Sequence, residues 1–174
     1  MNDKIKLFSL CFGDSEESAC EFFSIADIET ITEYAHGELV SMASLVPLKT
    51  ESGLCGFYAY GVCVHEDHRG KGLFARIMER CEEYAREMGA DFVCLIPADH
   101  RLANTYMRFG YTERVELCDG DLKDKEPIYT LSPDFIRFAE SEEDRAATVD
   151  FGLLKFIKDV SGKKFAFFSH MGDR

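Results

Sequence analysis

No run among the 174 residues is apolar for the roughly 18 positions that a membrane span needs, and the chain holds neither repeats nor a low-complexity tract. The first residues, MNDKIKLFSLCFGDSEESA, contain only a short apolar piece and no small-residue cleavage site, so no signal peptide is expected. None of the seven cysteines (Cys11, Cys20, Cys55, Cys63, Cys81, Cys94 and Cys118) stands in C-x-x-C spacing, and their number is odd. That argues against a disulfide framework or a zinc ribbon. Most have apolar neighbours and suit packing as small hydrophobes in a reducing cytoplasm. His65, His68 and His100 lack metal-ligand spacing, so no metal is expected. Basic residues are in deficit: 20 Lys and Arg face 32 Asp and Glu, a net charge of −12. A general nucleic-acid binder would show a basic face. An acidic surface draws cationic partners, amines among them. Neither nucleic acid nor membrane is an expected partner.

The length fits one domain, or one domain with an appendage, and can bury a real core. Residues 4–11 read as a helix, and Asp14 with Glu17 resembles a capping box before a second one. IETITEYAHGELVSMASLVPL reads as two strands joined by a turn at His36-Gly37. LCGFYAYGVCV, residues 54–64, is apolar on both faces and predicts a central strand. The apolar positions Leu73, Phe74, Ile77, Met78, Cys81, Tyr84, Ala85 and Met88 predict a helix over 72–88, with Gly89 at its end. DFVCLIP predicts a buried strand stopped by Pro97, RLANTYMRF a short helix, and YTERVEL and PIYTLS antiparallel strands. From Pro133 onward two helices and a last strand, KKFAFFSH, are expected as an extension over 133–174 behind a domain of residues 1–132. The order is that of a mixed-sheet α/β (α+β) layer fold.

The stretch HEDHRGKGLFA invites two phosphate readings. Gly70, Gly72 and Ala75 match the dinucleotide fingerprint G-x-G-x-x-A. In a Rossmann unit the strand runs almost directly into the first glycine. Here five polar residues, His65 to Arg69, separate Val64 from Gly70. An acid should stand about 20 residues on, at the end of the next strand, to hold a ribose; the only candidate at that strand's end is Asp99, which lies farther along. G-x-x-x-x-G-K-[ST] is absent as well. The second reading needs only a loop and a helix start. Backbone N–H groups of residues 69–74 would meet a pyrophosphate at the helix N-terminus, where unpaired donors and the dipole favour an anion. Arg69 and Lys71 add charge in the loop, and Arg76 and Arg80 follow on the helix.

The segment resembles motif A of the GNAT superfamily of acetyl-CoA-dependent N-acetyltransferases. R/Q-x-x-G-x-G/A is present as Arg69-Gly70-Lys71-Gly72-Leu73-Phe74, with Phe74 in the place of Gly or Ala. Tyr106-x-x-x-Gly110-Tyr111 is similar to the family's Y-x-x-x-G-F, and Asp99 stands where an Asn is often seen. The resemblance is specific over residues 54–118; the family's first strand is missing before the initial helix, and residues 133–174 lie outside it.

The resemblance implies a GNAT-like acyl-CoA N-acyltransferase fold. It implies direct transfer of an acetyl group from acetyl-CoA to a primary amine on a small molecule or peptide, with no metal. It places Val62, Cys63 and Val64 on a strand that splays from DFVCLIP, the pantetheine lying in the opening. A backbone N–H near Val64 would polarise the thioester carbonyl. Arg69, Gly70, Lys71, Gly72, Leu73 and Phe74 would hold the pyrophosphate. Tyr106 would protonate the departing thiolate; read alone, it is a core tyrosine. An alkylamine has a pKa of about 10.4 in water and needs a base or a water chain. His65 is the nearest titratable group, against a plain reading as an exposed loop histidine. Glu51, Glu66 and Asp67 are weaker choices, and Tyr58 and Tyr60 read as core or pocket wall. Cys63 as a covalent nucleophile lacks an arranged base, so a buried strand cysteine is the reading kept. His68 reads as a solvated loop residue. A non-catalytic acyl-CoA-binding module is the competing class. FAFFSH at an open edge would invite association, so it is expected to pair with the sheet or with a second copy in a homodimer.

Overall fold

The computed structural model describes residues 2–117, 125–141, 149–158 and 165–167. The chain enters directly into two helices, α1 (Asp3–Phe12) and α2 (Glu16–Phe23). Asn2 caps the first through Lys4 N–H. Ser15 caps the second through Ser18 N–H, so the expected box at Asp14 and Glu17 sits one residue too early. Among the described residues no strand precedes α1. An antiparallel meander follows: β1 (Glu29–Ala35), β2 (Glu38–Thr50) and β3 (Cys55–Val64). Then come α3 (Leu73–Glu87), β4 (Phe92–Leu95), α4 (His100–Arg108), β5 (Glu113–Leu117), β6 (Glu126–Thr130), α5 (Pro133–Ser141), β7 (Phe151–Phe156) and β8 (Phe165–Phe167).

The eight strands form one mixed sheet in the order β1-β2-β3-β4-β7-β5-β8-β6. β6 also pairs with β2 at Leu48–Thr50, so the far end of the sheet returns to β2 beyond the stretch that β1 covers. β5 is antiparallel to β7 and parallel to β8; it does not pair with β6 directly. Two hydrophobic layers flank the sheet. On one side Phe8, Phe22, Phe135 and Phe138 of α1, α2 and α5 meet Tyr58, Phe92 and Leu154. On the other, Ile77, Met78, Cys81 and Ala85 of α3 and Ala103 and Tyr106 of α4 meet Ala59, Val93 and Leu153.

The segment expected as a second C-terminal helix is a strand. β7 lies between β4 and β5, antiparallel to both. Leu153 and Leu154 face opposite layers and both are buried. A short apolar run such as FGLLKF has the same composition in a buried helix and in a central strand, so periodicity does not separate the two. The tail strand β8 pairs with β5 and β6 inside the same sheet. The loop expected over 118–126 and the rest of the tail fall largely outside the described residues.

β3 carries a bulge. Ser44 pairs with Tyr60 and Met42 with Cys63, so Gly61 and Val62 together oppose Ala43. Gly61 has φ +63°, and a Cβ there would come within 2.9 Å of the Phe8 ring. Both facts require glycine. Gly61→Ala is expected to lower stability by about 1–3 kcal/mol, read from denaturant midpoints; an unchanged midpoint would mean that the bulge relaxes without cost.

Candidate active site

The sheet opens where β3 and β4 part. These parallel strands pair only over Gly56–Tyr58 against Phe92–Cys94. β3 continues to Val64, whereas β4 ends at Leu95, two residues short of Pro97. His65 N–H bonds to Val40 C=O, and Cys63 lies opposite Met42. Because ladder bonds alternate along an antiparallel pair, the N–H and C=O of Val64 turn away from β2, toward the opening. The Val64 carbonyl accepts from Arg69 Nε at 3.2 Å and from Cys11 Sγ at 3.8 Å.

Beyond Val64 the chain makes a short 3₁₀ turn over Glu66–His68 and reaches Gly70 and Gly72, with φ of +75° and +80°. Gly72 is the N-cap of α3 and supplies no side-chain cap. The first intrahelical bond runs from Arg76 N–H to Gly72 C=O. The N–H groups of Leu73, Phe74 and Ala75 therefore have no acceptor within the helix. A Cβ on Gly70 or Gly72 would meet nothing within 4 Å, so the loop faces open space. Arg69 and Lys71 flank it, the latter exposed with Nζ on Asp67 C=O. Arg76 and Arg80 do not serve the loop: both pair with Glu33 of β1, at 3.2 Å and 2.7 Å.

Tyr106 on α4 is buried, with its ring centroid 5.2 Å from that of Phe74. Burial holds its phenol well above the usual tyrosine range, so it stays protonated at neutral pH. The side chain of Phe74 packs against Tyr106 and Phe109 rather than into the glycine loop. That reconciles its bulk with a motif position where Gly or Ala is usual. Asp99 caps α4 through Leu102 N–H at 2.7 Å. His65 caps the 3₁₀ turn, its Nδ1 accepting from Asp67 N–H at 3.2 Å. In the neutral ring that bond places the proton on Nε2. Its ring lies 5.7 Å from that of His68. Glu51 sits in the β2–β3 turn, at the other end of the ten-residue β3 and thus about 30 Å from Val64. Tyr58 is buried beneath Phe135, its phenol likewise pushed up by burial.

Cys11 had no signal in the sequence, because α1 brings it to β3 across 53 positions. A hydrogen bond from Cys63 lowers its thiol to about 7, opposed by partial burial and helped by Arg69. Cys11 is therefore expected to alkylate first among the described cysteines, at a rate rising through neutral pH. Peptide mapping after brief iodoacetamide treatment checks this; labelling led by exposed Cys20 or Cys55 would contradict it.

Among the described residues no group of His, Cys, Asp and Glu side chains could hold a metal ion. No helix in the described residues is long and apolar enough to cross a membrane.

A family model described as "Acetyltransferase (GNAT) domain" matches residues 1–114. The chain belongs to the GNAT acetyltransferase family. No curated protein matches the chain by sequence. Among solved structures, the GNAT N-acetyltransferase YhbS from Escherichia coli, in complex with CoA, aligns with TM-score 0.62 and 14% identity over 100% of this chain and 89% of its own. Aminoglycoside 6'-acetyltransferase type Ii aligns with TM-score 0.59 and 15% identity, covering 91% of this chain and 90% of that one. Ribosomal-protein-alanine N-acetyltransferase from Brucella melitensis biovar Abortus 2308 gives TM-score 0.55 and 18% identity over 68% and 87%. At these identities the structures establish the fold. The alignment with YhbS spans the whole chain and so takes in β7, which lies beyond the family match, and the family membership makes the protein an acyltransferase.

Proposed function

We propose that the protein transfers an acetyl group from acetyl-CoA directly to a primary amine. The observation that carries this is the end of β3, past Tyr58, that β4 does not cover, beside the uncapped start of α3. The first offers an extended arm a row of backbone partners; the second offers a pyrophosphate three unshared N–H donors. In this reading the pantetheine arm lies against Val62, Cys63 and Val64, and the pyrophosphate lies on Gly70–Phe74 with Arg69 and Lys71 beside it. A β3 N–H turned into the opening polarises the thioester carbonyl. The amine attacks that carbon, the C–S bond breaks, and Tyr106 gives its proton to the sulfur. The amine loses its own proton to water, because the Nδ1 of His65 is taken by Asp67 N–H. His65 would act as a base only by releasing that bond. The net charge of −12 suits a cationic acceptor.

Thermal shift with acetyl-CoA, CoA and NAD tests the binding half. Both thioester and thiol should raise the melting temperature, and NAD should not. At a ligand concentration 100 times Kd the stabilisation is about 2.7 kcal/mol. A response to NAD alone would overturn the reading. Thiol release with an amine panel separates an enzyme from a non-catalytic acyl-CoA binder.

A further inference from the structure

A buried cluster behind Tyr106 joins three elements. Glu82 of α3 is among the few charged residues in the interior. Its Oε1 accepts from Tyr111 Oη at 3.1 Å and from Lys155 Nζ at 2.8 Å. Lys155 comes from β7, in the part of the chain that the family model does not match. The same ammonium donates to Phe109 C=O at 2.9 Å. Phe109 is the C-cap of α4, so a cation sits where the helix dipole favours one. The chain passes this point through Gly110, at φ +95°, where a Cβ would press on Lys155 Cε at 3.1 Å. Tyr111 then turns back on Tyr106: its N–H bonds to Tyr106 C=O at 3.2 Å, and the two rings meet edge to face at 6.0 Å. Arg86 lies 3.9 Å from the second oxygen of Glu82 and is half exposed.

This arrangement also accounts for a departure in the sequence. Where the family motif ends in Phe, Tyr111 adds a hydroxyl, and that hydroxyl is spent on Glu82. A phenylalanine would leave the buried carboxylate one donor short.

We infer that Lys155, acting through Glu82 and Tyr111, is a positioning residue that fixes Tyr106 at the open end of β3. The inference rests on the proposed role of Tyr106 as the acid. Lys155 holds the end of α4 to α3 and touches neither the thioester nor the amine. Its loss lets the phenol move relative to the departing sulfur without removing any group from the CoA cradle. Displacements of about 1 Å can slow a reaction by as much as 10²-fold.

The test compares Lys155→Met, Lys155→Arg, Tyr111→Phe, Tyr106→Phe and the double variant Lys155→Met/Tyr106→Phe. The readouts are thiol release from acetyl-CoA with excess n-butylamine and the Kd for CoA. Lys155→Met should lower kcat by roughly 10-fold while the Kd for CoA stays within about twofold, since no cradle group is lost. Lys155→Arg should recover most of the rate. Adding Lys155→Met to Tyr106→Phe should cause no further slowing, because the group being positioned is already gone. A purely structural role would multiply the two losses, or weaken CoA binding and kcat together; either result overturns the inference. A folded Lys155→Met variant with unchanged kcat does so too. If Lys155→Met does not fold, Tyr111→Phe carries the same comparison with Tyr106→Phe. If Tyr106→Phe turns over normally, the acid assignment fails and the inference with it. If the unaltered protein releases no thiol above blank, the transfer reading itself has failed.

Discussion

A chain ending at residue 132 is expected not to fold. It loses α5 and β7, and β7 is a central strand bonded on both sides, to β4 and to β5. Without it β4 becomes an open edge and β5 loses its antiparallel neighbour. Phe135, Phe138, Phe151, Leu153 and Leu154 leave the core with it, all of them buried in the intact protein. At about 1.5–3 kcal/mol for each such side chain, the loss is roughly 10 kcal/mol, as large as the whole stability of a typical domain. The truncated chain should show no cooperative thermal transition and should aggregate in light scattering. A soluble species that melts cooperatively would show that residues 1–132 are a domain with a separable extension.

Why a sequence reading places that boundary at 132 can be traced to particular residues. The helix over 73–87 is legible because its apolar positions recur at helical spacing for four turns, with Gly89 just past the end. The meander is legible from alternation and from His36-Gly37, both at positive φ in the turn. The opening beside β3 is legible through the glycines before α3, since local spacing encodes a loop and a helix start. FGLLKF has no such signature, because a strand buried on both faces has no polar alternation. The rest of the site is assembled by long-range contacts that no local pattern records. Cys11 reaches Val64 across 53 positions, and Lys155 reaches Glu82 across 73. Phe74 is the mixed case. The motif identifies it as unusual, but only the fold shows that its ring lies on Tyr106 and so links the start of α3 to the proposed acid. Arg76 and Arg80 are the reverse. As sequence they add charge after the glycine loop, yet buried Glu33 on β1 takes both.

Replacing Tyr106 by phenylalanine should lower kcat by roughly 10²-fold, the lower end of what a general acid contributes. The ring volume is kept, so the contacts with Phe74 and Tyr111 persist and acetyl-CoA should bind as before. A loss confined to kcat marks an interaction made only in the transition state. The pH profile sharpens the test. Burial raises the phenol above its ordinary value of about 10, so the folded protein holds this proton more tightly than the unfolded chain does. The acid therefore remains loaded across the neutral range, and kcat should show no descending limb from Tyr106 below about pH 10. The same shift adds stability that is fully present below the unfolded pKa and lost as pH rises through the folded one. A descending limb near pH 8 that disappears in Tyr106→Phe would mean that the phenol is held below its value in water, as by a nearby cation, and not raised by burial. Unchanged kcat in Tyr106→Phe would leave the thiolate to depart unprotonated and would return Tyr106 to a packing role beside Phe74.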